Sequence, residues 1–208
     1  QLLVRDRGLR GKIAAQGLNA IVDEGVHQGK SALFFLAGNP EGLQLLTSDA
    51  ELRGKITEDG LNALIAEGVH QGNSALLLLA GSPEGQQLLT DEKELRDKIT
   101  PIGLNAIIAE GEGKGGSALL YLVGSNEGRQ LFENDELRGK ITPKGLNAVI
   151  AEGENKGKSA LYCLAGNPDG RQLLTSDAEL RSKITAEGLN VVVAEGQHKG
   201  ISALLLLA

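Results

Sequence analysis

One segment of about 43 residues occurs almost five times in this chain of 208 residues, and this repetition limits the available folds more than any other feature. A recurring Leu-Asn pair marks the phase, because its asparagines lie 43, 43, 42 and 43 residues apart, at Asn19, Asn62, Asn105, Asn147 and Asn190. Repeats of about 20 to 50 residues are typical of arrays in which each unit packs against its neighbours. We therefore predict a single array over residues 1–208, with units at approximately 9–51, 52–94, 95–136, 137–179 and 180–208, the last one incomplete.

The fourth copy shows the secondary structure of the unit most clearly. Thr142 is suited to cap a helix, and Pro143 is suited to its first position. Apolar residues then recur at helical spacing from Leu146 to Ile150. The pattern predicts a first helix, helix A, that ends at Gly153.

Two more helices and a linking element follow in each copy. Ser159 can cap helix B, and Gly166 ends it. Asn167 and Pro168 then start helix C. A stretch around residues 177–184 is predicted to form a fourth, short helical turn that leads to the next copy.

The composition agrees with an array of thin helical layers. Aromatic residues make up only 2% of the chain, so a core must be built from Leu, Ile, Val and Ala. No long run alternates β-branched with polar residues, as strands would require. Each helix is short and has one apolar stripe, so that a unit cannot bury its own surface alone. The predicted fold is an all-α, right-handed α-solenoid with three, or with the linking element four, short helices per unit.

The third copy is one residue shorter than the others. The contraction lies where Glu133-Asn134-Asp135-Glu136 replaces a longer link between helix C and the next copy. Because connecting loops tolerate deletions best, this position is predicted to be a surface loop.

Charge and cysteine content exclude several classes of protein. The formal net charge is -6, which favours a soluble chain and disfavours indiscriminate binding to nucleic acid or acidic lipid. No apolar stretch approaches the roughly 20 residues that a membrane-spanning helix needs, so no membrane partner is expected. Cys163 is the single cysteine and is interpreted as a small apolar filler, which is compatible with a reducing intracellular environment.

The ends of the sequence also lead to an expectation. The chain starts at Gln1 without a leader, and it stops just after the apolar run Leu204–Leu207. A polar capping repeat is missing from this pattern. Either a longer array continues the chain, or neighbouring molecules stack end to end.

Recognition is expected where the copies differ from one another. The first variable place is the loop between helices A and B, which is predicted to line up along one edge of the array. The second is a pair of positions in helix B, which carries most of the aromatic residues and could supply partner anchors or complete the core between units. The candidate contact residues are Val26, His27, Val69, His70, Glu112, Gly113, Glu154, Asn155, Gln197 and His198 in the loops, and Phe34, Phe35, Tyr121 and Tyr162 in helix B.

The repeated asparagine of helix A has two alternative roles. Asparagine is a poor helix former, so five copies in one phase indicate a shared hydrogen-bonding task. It either ties each helix to its neighbour or forms a row of amides that clamps an extended peptide.

No arrangement of residues points to catalysis. The repeated Glu24, Glu67, Glu110, Glu152 and Glu195 stand one unit apart, too far for a paired-carboxylate mechanism. His27, His70 and His198 lack companions at metal-ligand spacing, and the glycine-rich residues 111–116 lack the order of a phosphate loop. We expect no catalytic, cofactor-binding or metal-binding residues, and the chain is predicted not to be an enzyme.

About half of each unit follows one pattern, which in the fourth copy consists of Ile141-Thr142-Pro143, Ala148 to Ala151 and Gly157-Lys158-Ser159-Ala160-Leu161. This pattern resembles the repeat of transcription-activator-like effectors. It implies that duplex DNA is read by the first two loop residues of each copy, from Val26 and His27 to Gln197 and His198. The present chain has a longer period, an additional helix and the acidic Glu112 and Glu154 in that loop.

Helix B and the period resemble other helical repeats. The run Gly157 to Ala165 is similar to the first helix of an ankyrin repeat, and the period is similar to that of armadillo and HEAT repeats. These resemblances imply protein or peptide binding, which we take as the expected function. Sequence-reading DNA binding is the alternative, and an accessory domain of an enzyme is a third class.

Overall fold

The structure is a computed structural model that describes residues 3, 6–111, 113–153 and 155–208. These residues form short helices and no strand, which confirms the prediction of an all-α fold. The linking element is a helix in its own right. Each complete unit thus has four helices, which we call D, A, B and C in chain order.

The bounds of the helices repeat with the period of the sequence. Helix D spans Arg7–Gly11, Ala50–Gly54, Lys93–Asp97, Asp135–Gly139 and Ala178–Ser182. Helix A spans Ala15–Asn19, Glu58–Asn62, Pro101–Asn105, Pro143–Asn147 and Ala186–Asn190. Helix B spans Ala32–Ala37, Ala75–Ala80, Ala118–Gly124, Ala160–Ala165 and Ala203–Leu207. Helix C spans Pro40–Ser48, Pro83–Asp91, Asn126–Gln130 and Pro168–Ser176.

The caps predicted for the fourth copy are confirmed. The hydroxyl of Thr142 accepts a hydrogen bond from the backbone N–H of Gly145 at 3.1 Å, and that of Ser159 accepts from Tyr162 at 3.0 Å. The side chain of Asn167 accepts from the Asp169 N–H at 3.0 Å. Each cap satisfies a donor that the first turn of a helix leaves free.

Helix A is shorter than predicted. In the fourth unit it ends at Asn147 rather than at Gly153, and the chain continues without helical structure. The Ile150 N–H donates to the carbonyl of Lys158 at 2.9 Å, and the Ile150 carbonyl accepts from the Gly157 N–H at 2.9 Å. The backbone bonds across the loop replace those of a helix, and β-branched residues favour this extended form.

The contraction in the third unit lies in helix C, so the prediction of a surface loop was wrong. Helix C has nine residues in the first, second and fourth units, whereas in the third the α-helix Asn126–Gln130 is followed by the 3₁₀-helix Leu131–Glu133. Three residues of 3₁₀-helix advance about 1.5 Å further than three of α-helix, which is the rise of one α-helical residue. The tighter winding therefore compensates for the missing length.

One continuous core runs through the array, from Leu18 in the first unit to Ala203 in the fifth. Helix B lies at its centre and packs against helix B of the next unit. Leu76 and Leu79 of the second unit, for example, have no exposed surface. Burying a leucine side chain stabilises by about 2 kcal/mol, and here the burial depends on the adjoining units.

The repeated asparagines tie successive units together. The Nδ2 of Asn62 donates to the carbonyls of Glu58 in its own helix and Lys98 in the next unit, both at 2.7 Å. Its Oδ1 accepts from the backbone N–H of Thr100 at 3.0 Å. Asn19, Asn105 and Asn147 form the same bonds to the units that follow them. Of the two alternatives for this asparagine, the structure contains the inter-unit ladder.

A glycine of the next unit makes room for each of these side chains. A Cβ atom at Gly103 would lie 2.1 Å from the Oδ1 of Asn62, far inside the contact distance. Gly60, Gly145 and Gly188 are in the same position relative to Asn19, Asn105 and Asn147. The asparagine and the glycine therefore repeat together for a single reason.

A second ladder of charged residues links the D helices. Arg10 pairs with Asp49, and Arg138 pairs with Asp177, each with 2.8 Å between nitrogen and oxygen. The acidic partner is in each case the N-cap of the next D helix. Arg53 pairs in the same way with Glu92.

The third unit breaks this ladder. Asn134 caps the following D helix there in place of an acid, and Arg96 forms no ion pair within 4.0 Å among the described residues. The Nε of Arg96 is buried without a hydrogen-bond partner. Its Nη1 still donates to the carbonyl of Thr90 at 2.8 Å, which holds the side chain against the end of helix C.

Candidate functional site

The loop between helices A and B is a narrow turn held by its own backbone. In the second unit the Ile65 N–H donates to the Asn73 carbonyl, and the Gly72 N–H donates to the Ile65 carbonyl, each at 2.9 Å. Gly72 has a φ angle of 90°, which other residues rarely adopt. The loop is therefore ordered by local bonds, and its side chains are free to differ between units.

Neighbouring loops are joined to one another along the edge of the array. The backbone N–H of Ala109 donates to the Gln71 carbonyl of the preceding loop at 3.0 Å. Ala151 and Ala194 make the corresponding bonds to Lys114 and Lys156. The prediction that these loops line up along one edge agrees with this arrangement.

The loop residues singled out from the sequence lie mostly on the surface. Val26 and Val69 expose 90% and 73% of their area, which is unusual for apolar side chains. His27, His70, Asn155, Gln197 and His198 are also exposed, whereas Gly113 is half-buried. Glu112 and Glu154 lie outside the residues that the structure describes.

The two variable positions of helix B differ in environment. In the three middle units the first position, Leu77, Leu120 or Tyr162, is buried in the array. The second position, Leu78, Tyr121 or Cys163, is half-buried. Leu78 and Tyr121 lie beside residues of the A/B loops. The first side chain of each pair therefore completes the core, as one of the two interpretations expects, and partner anchoring by the second stays a prediction.

An aromatic cluster forms on the first unit. Phe35, which is 44% exposed, meets the ring of His27 edge-on with 5.2 Å between centroids. Phe34 lies on its other side at 6.0 Å, and the Nζ of Lys30 lies 5.9 Å from the Phe35 ring centroid. Two loop residues and two helix B residues are thus brought together in one patch.

The two tyrosines also lie against loops. The hydroxyl of Tyr121 borders the glycines of its own loop, because a Cβ at Gly113 would lie 3.0 Å from it. Tyr162 contacts the ring of His198 in the next unit, with centroids 6.2 Å apart. Burial raises the pKa of the Tyr162 phenol above the ordinary value of tyrosine.

Clefts open between the loops of successive units. Cleft 1/2, of about 320 Å³, is bordered by Val26, Val69 and His70. Cleft 2/3, of about 570 Å³, is bordered by Val69, His70, Gly113 and Tyr121. Cleft 4/5, of about 670 Å³, is bordered by Asn155, Gln197 and His198. Most of the candidate residues therefore meet in pairs of adjacent units rather than within one unit.

Several lining residues are not among the candidate contact residues. Asn73, Leu77, Leu78 and Ile108 border cleft 2/3. Leu77 and Leu78 are the variable pair of helix B in the second unit, and Asn73 ends the variable loop, so the variable places include all three. Ile108 could not have been found in this way, since its position is Val or Ile in every unit.

The glutamates of the loops differ in whether a lysine of the preceding loop lies near them. The Nζ of Lys114 lies 4.0 Å from Glu152 of the next loop, and that of Lys156 lies 3.5 Å from Glu195. Gln28 and Gln71 occupy the lysine position in the first two loops. Among the described residues, neither Glu67 nor Glu110 has an ion-pair partner.

Over the described ranges, no three His, Cys, Asp or Glu side chains meet where they could hold a metal ion. No helix in this part of the chain is long and apolar enough to cross a bilayer. Burial raises the pKa of the Cys163 thiol, which makes its thiolate scarce at neutral pH.

Comparison of the chain with known protein families, with curated proteins and with solved structures finds no match.

Proposed function

We propose that the array is a non-catalytic scaffold that binds a partner protein or peptide through its variable loops and the outer positions of helix B. The observation that carries this proposal is the set of clefts between adjacent loops. Their walls combine residues that differ from unit to unit, such as Val69, His70 and Tyr121. Cleft 2/3 has apolar walls and a few polar groups, as typical binding sites do, whereas cleft 4/5 is lined by polar and charged side chains and by glycine.

The side chains of the repeated asparagines support the same conclusion, because they already form hydrogen bonds within the array. Every inter-unit bond of the asparagine ladder uses a donor or acceptor of Asn19, Asn62, Asn105 or Asn147. These amides are not available to clamp a peptide backbone. Recognition is then left to side chains that change along the array.

Exposed apolar residues on the loop tips add to this argument. The side chains of Val26 and Val69 contribute little to the stability of the fold, because most of their surface faces solvent. Contact with a partner would bury that surface, and about 25 cal/mol is gained per Å² of apolar area removed from water.

Duplex DNA has less support as a partner. The exposed Glu67 and Glu110 stand on the loop edge, where phosphates would approach. Lys114 and Lys156 already face glutamates of the next loop. A DNA-binding edge needs an excess of unpaired positive charge.

Selection of random short peptides displayed on phage against the whole protein tests the proposal. We expect enrichment of a sequence family whose binding is weakened by the double variant Val69→Ser, His70→Ser. Ile102→Ser is the matched control, because Ile102 is 71% exposed on helix A and borders none of the three clefts. The absence of any enriched family, or equal weakening by both variants, would overturn the proposal.

A DNA titration separates the two partner classes. Binding of a labelled duplex is measured at about 50 and about 200 mM salt, since contacts to phosphate make affinity fall steeply with salt. We expect no binding at the lower salt concentration. Tight binding there, lost at the higher one, would favour the DNA alternative.

A further inference from the structure

We infer that cleft 2/3 holds an apolar side chain of a peptide in which the neighbouring residues are basic. This inference rests on the proposed function and specifies the partner. It follows from three properties of one cleft: its apolar floor, a buried acceptor in its wall, and an unpaired carboxylate beside it.

The floor of cleft 2/3 is apolar and has space for a side chain. Leu77, Leu78 and Ile108 line it, with Tyr121 at one side. Leu78 occupies the position that Phe35 fills in the first unit and Tyr121 fills in the third. A smaller residue at this position leaves the space between the two units open.

Asn73 supplies an unused acceptor in the wall. Its Oδ1 is buried and has no hydrogen-bond partner. An acceptor of this kind costs about 1 to 3 kcal/mol when it stays unpaired. This oxygen has almost no accessible surface, and rotation of the Asn73 side chain towards the cleft would bring it to a backbone N–H or a side-chain donor of an inserted peptide.

The charge beside this cleft is negative and has no ion-pair partner among the described residues. It is the carboxylate of Glu110, which precedes the lining residue Gly111, whereas Glu67 lines cleft 1/2 together with Lys30. Further along the array, Lys114 and Lys156 offset the equivalent Glu152 and Glu195. At Glu110 the preceding loop provides Gln71 in place of the lysine. Lysine or arginine next to the inserted side chain fits this surface, whereas an acidic peptide or a nucleic acid does not.

Three synthetic peptides test the inference on the whole protein. The first has a leucine flanked by lysines, the second has the same leucine flanked by glutamates, and the third has glycine in place of the leucine between lysines. Binding is followed by NMR through the methyl resonances of Leu77, Leu78 and Ile108. We expect the first peptide to shift these resonances and the other two to bind at least about tenfold more weakly.

Two variants assign the effect to the cleft and its rim. Glu110→Gln should weaken the first peptide about threefold to fivefold, because a single exposed ion pair contributes modestly. The matched control is Glu152→Gln, which removes a carboxylate that Lys114 already offsets and should change binding less than twofold. Leu78→Phe introduces the residue of the first unit and should abolish the methyl shifts.

The outcomes separate this inference from the proposed function. Enriched phage peptides without basic residues, or a lysine-flanked leucine peptide that shifts no methyl of cleft 2/3, overturn the inference and leave the scaffold function standing. Equal effects of the two glutamate variants also overturn it. If neither the selection nor the defined peptides bind, both proposals fail. The glutamate variants are at exposed positions, so their result stands even if Leu78→Phe does not fold.

Discussion

Replacing Asn134 with aspartate should stabilise the array, because it restores the one missing member of the charged ladder. Arg10 and Arg138 each face an aspartate that caps the next D helix, at 2.8 Å. Arg96 has the same place in the third unit, but its Nε is buried without a partner. Asparagine and aspartate are equally good N-caps, so the substitution keeps the helix start intact and adds the charge.

The size of the gain follows from the intact pairs. Their side chains are 15–19% exposed, and two unit charges 4 Å apart attract by about 4 kcal/mol at an effective dielectric constant of 20. Desolvation of the new carboxylate offsets much of this attraction, and the adjacent Glu133, Asp135 and Glu136 repel it. Arg96 is already ordered by its bond to Thr90, so little side-chain entropy is lost. We expect a net gain of about 1 kcal/mol in the free energy of unfolding.

Urea denaturation followed by circular dichroism measures this gain as a higher midpoint at an unchanged slope. The control is the same substitution in an Arg96→Gln background, where the carboxylate has no guanidinium to pair with and the gain should vanish. An equal gain in both backgrounds would mean that the carboxylate acts through the helix dipole or another group. No gain in either background would refute the assignment of Asn134 as the missing partner.

Three further predictions concern the two ladders. Asn62→Leu should lower the free energy of unfolding by about 3 kcal/mol, because it leaves the Lys98 carbonyl and the Thr100 N–H unpaired; a stable variant that binds peptides poorly would contradict this. Gly103→Ala should lower the free energy of unfolding by at least about 2 kcal/mol, since its Cβ would lie 2.1 Å from the Oδ1 of Asn62. When it is combined with Asn62→Ala, the two losses of stability should be less than additive, and strict additivity would show that the two positions are unrelated. Backbone hydrogen bonds and a facing arginine lower the pKa of Asp49 and of Asp177, so the stability that these carboxylates contribute is present above about pH 4 and is lost as the pH falls through the lowered values. The double variant Asp49→Asn with Asp177→Asn should therefore lose less stability than the parent protein between about pH 5 and about pH 2. An unchanged profile of stability against pH would count against the pairs.

The repeat and its capping residues were sufficient to predict the helices and their order. Thr142, Ser159 and Asn167 cap where expected because a short polar side chain satisfies the same backbone donors in any context. The end of helix A could not be predicted in this way. Val149 and Ile150 have the spacing of a helix but the β-branched side chains that favour an extended segment. The extended form is selected by the hydrogen bonds of Ile150 to Gly157 and Lys158 across the loop.

The deletion in the third unit shows a similar limit. A missing residue near a helix end has the appearance of a shortened loop in sequence. In the structure the missing residue shortens helix C, whose end is wound as a 3₁₀-helix in which Leu131 and Phe132 remain buried. Packing of these two side chains fixes the end of the helix, and no local pattern expresses that requirement.

The candidate surface was predictable in outline, since variation among copies of one chain indicates which positions the fold leaves free. The loop positions identified by this comparison are largely exposed, as Val26 and Val69 illustrate. Which of them face a common cleft depends on the junction between units. Leu78 and Tyr121 belong to different units and meet at cleft 2/3 only because helix B of one unit packs on that of the next.

The division of labour among polar residues has a physical reason. A solenoid has to satisfy the backbone groups at every junction between units, and a side chain that does so must be the same in each unit because each junction is the same. Asn62 and Gly103 meet this condition together. The loop side chains are not needed to satisfy backbone groups, because backbone hydrogen bonds such as that from Ile65 to Asn73 already order the loop. Selection for a partner can then act on Val69, His70 or Asn73 without loss of stability, which is why a partner is best sought along the loop edge rather than along the ladder.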